Sequence, residues 1–304
     1  MKEIRDIKLD SSTKIVDLIK MFSDTGGFTA KKLATASEIM EKIFSECELK
    51  LLSFPACIIS TGTRGIIKDI IKKKLFDIII TTCGTLDHDF ARCFKPYYQG
   101  HFMADDRELH RRRIHRLGNV FIPFDNYGKI IEDRLQPVLK EIYNSGKKEM
   151  STHEFVWEIG KRIRNEDSII YWCYRNNIPM IIPGITDGAF GTQLAIFMQD
   201  HPDFRIDAFK DEKYLMERMF GEIKAGALMI GGGISKHHVI WWSAFIDGLE
   251  YAVQLSTAPE WDGSLSGART REAITWGKIK EEARHITVEG DATVLLPLLL
   301  ARFL

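Results

Sequence analysis

Seven short apolar runs, each ending in small or polar residues, limit what this chain can fold into. They cover residues 55–60, 76–82, 119–123, 178–183, 225–230, 251–256 and 286–289. None alternates cleanly between apolar and polar, which suits strands buried on both faces of a parallel sheet. Helical periodicity lies between them, over 37–47, 65–74, 152–165, 211–222 and 236–248. This βα alternation predicts an α/β fold with a doubly wound, mostly parallel sheet. The first 50 residues read as a helical N-terminal extension, and 51–304 as one domain. The C-terminal LLPLLLARFL reads as a buried terminal helix.

Ligands of such sheets bind beyond the carboxyl ends of the strands, and the polar clusters fall there. They are Ser60-Thr61-Gly62, the 81–85 string TTCGT, Thr186-Asp187-Gly188, the triplet Gly231–Gly233, Ser256-Thr257-Ala258 and Gly290-Asp291-Ala292. The dinucleotide fingerprint G-x-G-x-x-G is absent, and a glycine triplet alone serves a tight turn as well as a pyrophosphate. A strand precedes this triplet and a helix follows it, and helix N-termini favour anions. Asp187 and Asp291 are placed either to accept ribose hydroxyls or to cap a turn or helix.

The 42 basic and 42 acidic side chains cancel, so nothing in the charge points to nucleic acid or an anionic membrane. A cationic substrate therefore needs a local acidic site. Five cysteines without a CxxC argue against a disulfide framework or structural zinc, and no histidine spacing suggests a metal. The N-terminus has no apolar signal core, and no stretch reaches bilayer-spanning length. A cytoplasmic protein is expected. Lys72–Lys74 reads as a solvated helix end and Arg111–Arg113 as surface or subunit contact.

The string WDGSLSGAR over 261–269, followed by EAITWGK over 272–278, sets Lys278 beside a tryptophan and a glycine. A lysine desolvated in this way has a lowered pKa, and a neutral amine attacks imines and carbonyls. Lone lysines are otherwise almost always at the surface.

These motifs, in this order, resemble the deoxyhypusine synthase family from about Gly26 to the C-terminus. The matching strings are STGTR at 60–64, DIIITTCG at 77–84, RLGN at 116–119, PGITDG at 183–188, IGGGISKHH at 230–238, Tyr251-Ala252-Val253 and the lysine signature. The resemblance implies a Rossmann-like domain and a homotetramer of two tight dimers, with active sites at the dimer interface. It implies NAD as cofactor and spermidine as donor. An aminobutyl group would pass through an imine on Lys278 to one lysine of the precursor of translation initiation factor 5A, releasing 1,3-diaminopropane.

By the same resemblance, His237 handles protons at the substrate amine. Ser60, Thr82, Cys83, Gly84, Asp187, Gly232, Thr257, Ala258, Asp291 and Ala292 match NAD-contacting positions. Asp87, His88, Gly263, Ser264, Glu272 and Trp276 match substrate-pocket positions. A tryptophan face with a carboxylate suits an alkylammonium. The chain departs from the family pattern at Thr192 and Leu265, where acids are expected, at Trp241, where an asparagine is expected, and at Ala56-Cys57, where Ser-Asn is frequent. Asp87-His88 stands for a Glu-Glu pair, so Asp87, Asp89 and Glu260 are candidate replacement anchors; otherwise the amine differs. Two alternatives keep part of this reading: homospermidine-synthase-like transfer to a free diamine, and a non-catalytic partner subunit. Retention of Lys278 and His237 argues against the second.

Overall fold

The computed structural model describes all of residues 1–304. In chain order it opens with α1 (Ile15–Phe22), α2 (Phe28–Glu46), β1 (Leu49–Ser53), α3 (Thr63–Lys72), β2 (Ile78–Ile80) and α4 (Cys83–Arg92). Then come β3 (Tyr98–Gln99), α5 (Asp106–Arg111), β4 (Ile114–Leu117), β5 (Val120–Pro123), α6 (Gly128–Asn144), β6 (Glu149–Met150), α7 (Thr152–Ile163) and α8 (Ile169–Asn176). The chain ends with β7 (Met180–Ile181), α9 (Ala189–Asp200), β8 (Arg205–Ile206), α10 (Phe209–Arg218), β9 (Ala225–Ile230), α11 (Gly233–Ser243), β10 (Leu249–Ser256), β11 (Ile279–Glu289) and α12 (Ala292–Leu300). The class is α/β with a mainly parallel central sheet, as the alternation predicts.

The chain divides into two compact units. The first takes residues 1–55, 75–80 and 215–304; the second takes 56–74 and 81–214. In the first unit, parallel strands run in the order β11-β10-β9-β1-β2. Every residue of β9 is buried, which explains why AGALMI shows no alternation. Helix α2 packs on β9, β10 and β11, and α11 on β1, β2 and β9. Gly226 permits the close approach of α2: a Cβ there would stand 2.7 Å from Ile43 Cγ1 and 2.9 Å from Cys47 Sγ. Helix α12 packs on α2 and β10 and buries Leu295, Leu296, Leu299 and Leu300. The helices expected as an N-terminal extension thus belong to the same compact unit as 215–304.

The second unit is mostly helical. Helix α7 packs on α8, α8 on α3, and α9 on α4 and α6. It holds an antiparallel sheet of order β3-β5-β4 and a parallel pair β6-β8. Asp89, fully buried, organises its centre. Its two oxygens take Arg64 Nε at 2.7 Å, Ser168 Oγ at 2.6 Å, and the first N–H groups of α8 from Ile169 and Ile170 at 3.1 and 3.0 Å. A charged pair this buried persists because every lone pair facing it is used.

The sequence pattern misplaced several elements. The run 55–60 is a 3₁₀ turn over Ala56–Ser60, and the strand precedes it at Leu49–Ser53. Hydroxyls explain this: Ser60 donates to the Cys57 carbonyl, and Thr61 and Thr63 donate to that of Ile58, holding the backbone in a turn. The run 119–123 pairs antiparallel with β4 through a turn at Gly118, whose φ is +59°. The run 178–183 keeps only Met180 and Ile181 as strand. Strand β11 begins at Ile279, not Ile286, because its charged first half, KEEAR, lies at the surface and hides the strand from an apolar count. No helix is long and apolar enough to cross a membrane. All five cysteines are free.

Candidate active site

The first unit carries a cavity of about 260 Å³. Lys278 stands in its wall. A 3₁₀ helix over Thr270–Trp276 ends at Gly277, whose φ of +65° turns the chain back. The Lys278 N–H donates to the Ala273 carbonyl at 3.0 Å, and the Lys278 carbonyl accepts from the Leu249 N–H at 3.1 Å. Both backbone groups are therefore fixed where the turn meets β11. The residue is 8% exposed. Its Nζ lies 5.5 Å from the ring centre of Trp241 and 5.2 Å from that of Trp276. Glu272 and His237 line the same cavity, with Met229, Ile240, Leu265 and Ile279 among its apolar walls.

His237 sits in the second turn of α11 and stacks on Trp241, ring centres 5.8 Å apart and planes 27° from parallel. Partial burial, reinforced by the Lys278 charge, holds its pKa below the ordinary histidine value. A neutral imidazole beside a lysine amine is equipped to accept a proton.

The loop over the cavity is held by residues that the sequence motifs contain but that pattern reading assigned no role. Lys236, 2% exposed, donates to the carbonyls of Leu265 at 2.8 Å and Ala268 at 2.6 Å. Burial pushes its pKa down to about 8, with Glu272 opposing and Arg269 adding to the shift. Gln254, fully buried in β10, donates to the carbonyls of Gly231 and Ser266 and accepts from Thr287 Oγ1. Ser256 Oγ donates to the Ser266 carbonyl at 2.7 Å. A glutamine inside the apolar string YAVQLS was the available signal, since a buried amide needs partners.

The residues matched to cofactor contacts occupy both units. In the first, Gly232 lies directly against Ser266: a Cβ on it would fall 2.3 Å from Ser266 Cα and 2.5 Å from its N. Helix α11 follows with no side chain capping its N-terminus, and a Cβ on Gly233 would meet nothing within 4 Å. Uncovered N–H groups with open space beyond them fit a phosphate. Thr257 is exposed and Ala258 half-buried after β10. Asp291 caps α12, accepting from the Thr293 N–H at 2.7 Å, and Ala292 begins that helix. Gly263 and Ser264 lie exposed at the loop tip, outside the cavity walls.

In the second unit, Ser60 is buried within its turn and Thr82 Oγ1 accepts from the Ala56 N–H at 3.3 Å. A Cβ on Gly84 would meet that of Ala56 at 2.9 Å. Cys83 is fully buried, which pushes its thiol up to about 12 and makes it unreactive. Asp187 is exposed on the turn before α9.

A family model described as deoxyhypusine synthase matches residues 17–303. The chain belongs to the deoxyhypusine synthase family. A relative from Picrophilus torridus, described as a probable deoxyhypusine synthase, is 54% identical over 99% of this chain and 96% of its own length. One from Thermoplasma acidophilum, described in the same words, is 52% identical over 100% of this chain and 97% of its own. The fold is also that of a crystal structure described as a candidate deoxyhypusine synthase from Entamoeba histolytica, with a TM-score of 0.67 at 18% identity, covering 98% of this chain and 96% of that one.

The cavity wall holds one carboxylate, Glu272, and the other carboxylates named as candidate anchors have partners of their own. Asp87 is fully buried and accepts from the Phe190 and Ala189 N–H groups, both at 2.9 Å, and from Tyr127 Oη at 2.8 Å, so it closes the N-terminus of α9. His88 is buried against Tyr97, with Nδ1 3.0 Å from the phenol oxygen, and desolvation lowers its pKa to about 4. Both residues are buried with these partners inside the second unit. Asp89 is saturated as described above. Glu260 pairs with Arg271 and, at 3.9 Å, with Arg269. Thr192 is exposed on α9, its hydroxyl donating to the Gly188 carbonyl. Leu265 and Trp241, by contrast, both line the cavity. Glu272 is the carboxylate left in its wall.

Proposed function

We propose that this chain transfers the aminobutyl group of spermidine to one lysine of the precursor of translation initiation factor 5A, through an imine on Lys278. The observation that carries the reading is Lys278 itself: a buried lysine close to two indoles, in a cavity with one carboxylate and a histidine whose pKa burial lowers. The cofactor would be NAD, which accepts a hydride from the donor carbon beside the secondary amine and returns it after transfer. The open N-terminus of α11 and the Gly231–Gly233 turn fit its phosphate groups, with Thr257, Ala258, Asp291 and Ala292 in the same unit.

The chain's own residues do the rest. Glu272 pairs with a donor ammonium, and the Trp276 face covers the methylenes. The Lys278 amine attacks the donor's carbon–nitrogen double bond; the bond to 1,3-diaminopropane breaks, and that diamine leaves carrying the proton. His237 accepts and returns protons at these nitrogens. The acceptor lysine then displaces Lys278, which is regenerated as a free amine. The assembly we propose is a homotetramer of two dimers in the cytoplasm, with sites at the dimer interface. The exposed rings of Trp241, Trp261 and Trp276 support a covered face there.

The test is intact-mass analysis of the factor 5A precursor after incubation with the protein, NAD and spermidine, with Lys278→Ala alongside. One aminobutyl adduct on the precursor, absent with the variant, is expected. With putrescine also supplied, homospermidine with an unmodified precursor would reassign the acceptor to a free diamine. Undiminished transfer by Lys278→Ala would remove Lys278 from the mechanism.

A further inference from the structure

Resting on that reading, we infer that Trp241 is a specificity-determining residue: with Trp276 it forms an aromatic slot that holds the cationic imine on Lys278 and admits donor arms lacking a terminal charge. Three observations lead there. The Lys278 amine lies at similar distances from both indole centres, 5.5 and 5.2 Å, within reach of cation–π attraction from each. Of the other charged groups in the wall, two are cations and one is a carboxylate. Lys236 is itself a cation committed to two carbonyls, Arg269 is cationic, and Glu272 is the carboxylate in the wall. Finally, Trp241 stacks on His237, so one ring bears on both the amine and the group handling its proton.

The chemistry follows from charge. When Lys278 adds to the oxidised donor and the diamine departs with a proton, the new carbon–nitrogen double bond on Nζ is protonated and carries one positive charge. That charge stands where the lysine ammonium stood, close to the two indoles. The slot therefore stabilises the covalent intermediate at its nitrogen, whatever the far end of the transferred arm carries. Leu265, Ile240 and Met229 present apolar surface to the arm. A butyl arm should be taken nearly as well as an aminobutyl arm.

Full-length wild type, Trp241→Phe, Trp241→Leu and Trp241→Asn would each be incubated with NAD and either spermidine or N-butyl-1,3-diaminopropane. Borohydride quenching and intact mass then read the adduct on Lys278. Wild type is expected to trap the two arms within about threefold of each other, and Trp241→Phe, which keeps a weaker aromatic face, to trap less than wild type but more than Trp241→Leu. Trp241→Leu and Trp241→Asn should trap at least about tenfold less of both arms, with circular dichroism and NAD binding unchanged. Equal trapping by wild type and Trp241→Leu, or wild-type trapping of aminobutyl alone, overturns the slot and leaves the proposed function standing. No adduct in wild type with either donor overturns the proposed function, and the slot with it.

Discussion

A histidine accepts a proton only while it is neutral, so the environment of His237 sets the acid limit of any reaction that uses it. Burial and the nearby Lys278 charge both disfavour the imidazolium and lower its pKa. As pH falls, the ring stays neutral to a lower pH than a free histidine, whose pKa is about 6.5. The acid limb of kcat/KM for aminobutyl transfer should therefore lie below pH 6.5. Replacing Lys278 by a neutral residue would abolish the reaction, so the check uses His237→Asn, which should remove the limb and lower kcat about 10²-fold or more. A limb at or above 6.5, or one that survives His237→Asn, would assign the titration to another group. The place of His237 in the cavity wall was legible in the KHH string by resemblance; its stacking on Trp241 was not, because a four-residue spacing predicts neighbours on a helix but not ring geometry.

At the scale of elements, the loop over the cavity depends on three of its carbonyls. Those of Leu265 and Ala268 are held by Lys236 of α11, and that of Ser266 by Gln254 and Ser256 of β10. Gly232 lies beneath Ser266 with no room for a methyl group. Gly232→Ala must push backbone, not a flexible side-chain end, and should cost about 1–3 kcal/mol as an overpacked site does. The loop carbonyls should then leave Lys236, and transfer should fall at least about tenfold. Gly65→Ala, inside α3 with nothing within 4 Å of the added carbon, serves as the control; it should be neutral or stabilise by up to about 1 kcal/mol. Chemical denaturation and the transfer assay on both variants decide it, and an unaffected Gly232→Ala would show the loop to be movable. The glycine triplet and the WDGSLSGAR string were readable as motifs. That they touch was not, since their contact joins α11 to a loop beyond the next strand. The helical half of the chain was less legible for a similar reason: Asp87 and Asp89 look like ligand carboxylates in sequence, and their donors are N–H groups of α9 and α8, which no local pattern reveals.

For the whole molecule, a net charge of zero leaves association to shape and apolar surface. The first unit leaves a row of rings uncovered: Trp241 lies 6.4 Å from Phe245, which stacks on Phe220 at 5.2 Å, and all three are exposed. Large aromatic surface of this kind marks an interface more often than a solvated face. Composition shows nothing of this, because the 11% aromatic content counts buried and exposed rings alike. If a second copy of the chain covers the row, Phe245→Asp would bury a carboxylate against apolar surface with no partner, a cost of several kcal/mol. Sedimentation should then show four chains for wild type and fewer for Phe245→Asp. Because the row continues from the cavity through Trp241, the loss of assembly should bring a loss of transfer of about tenfold or more. A four-chain Phe245→Asp particle with full activity would place the subunit contact elsewhere. A dispersed but fully active variant would show that one chain completes the site by itself.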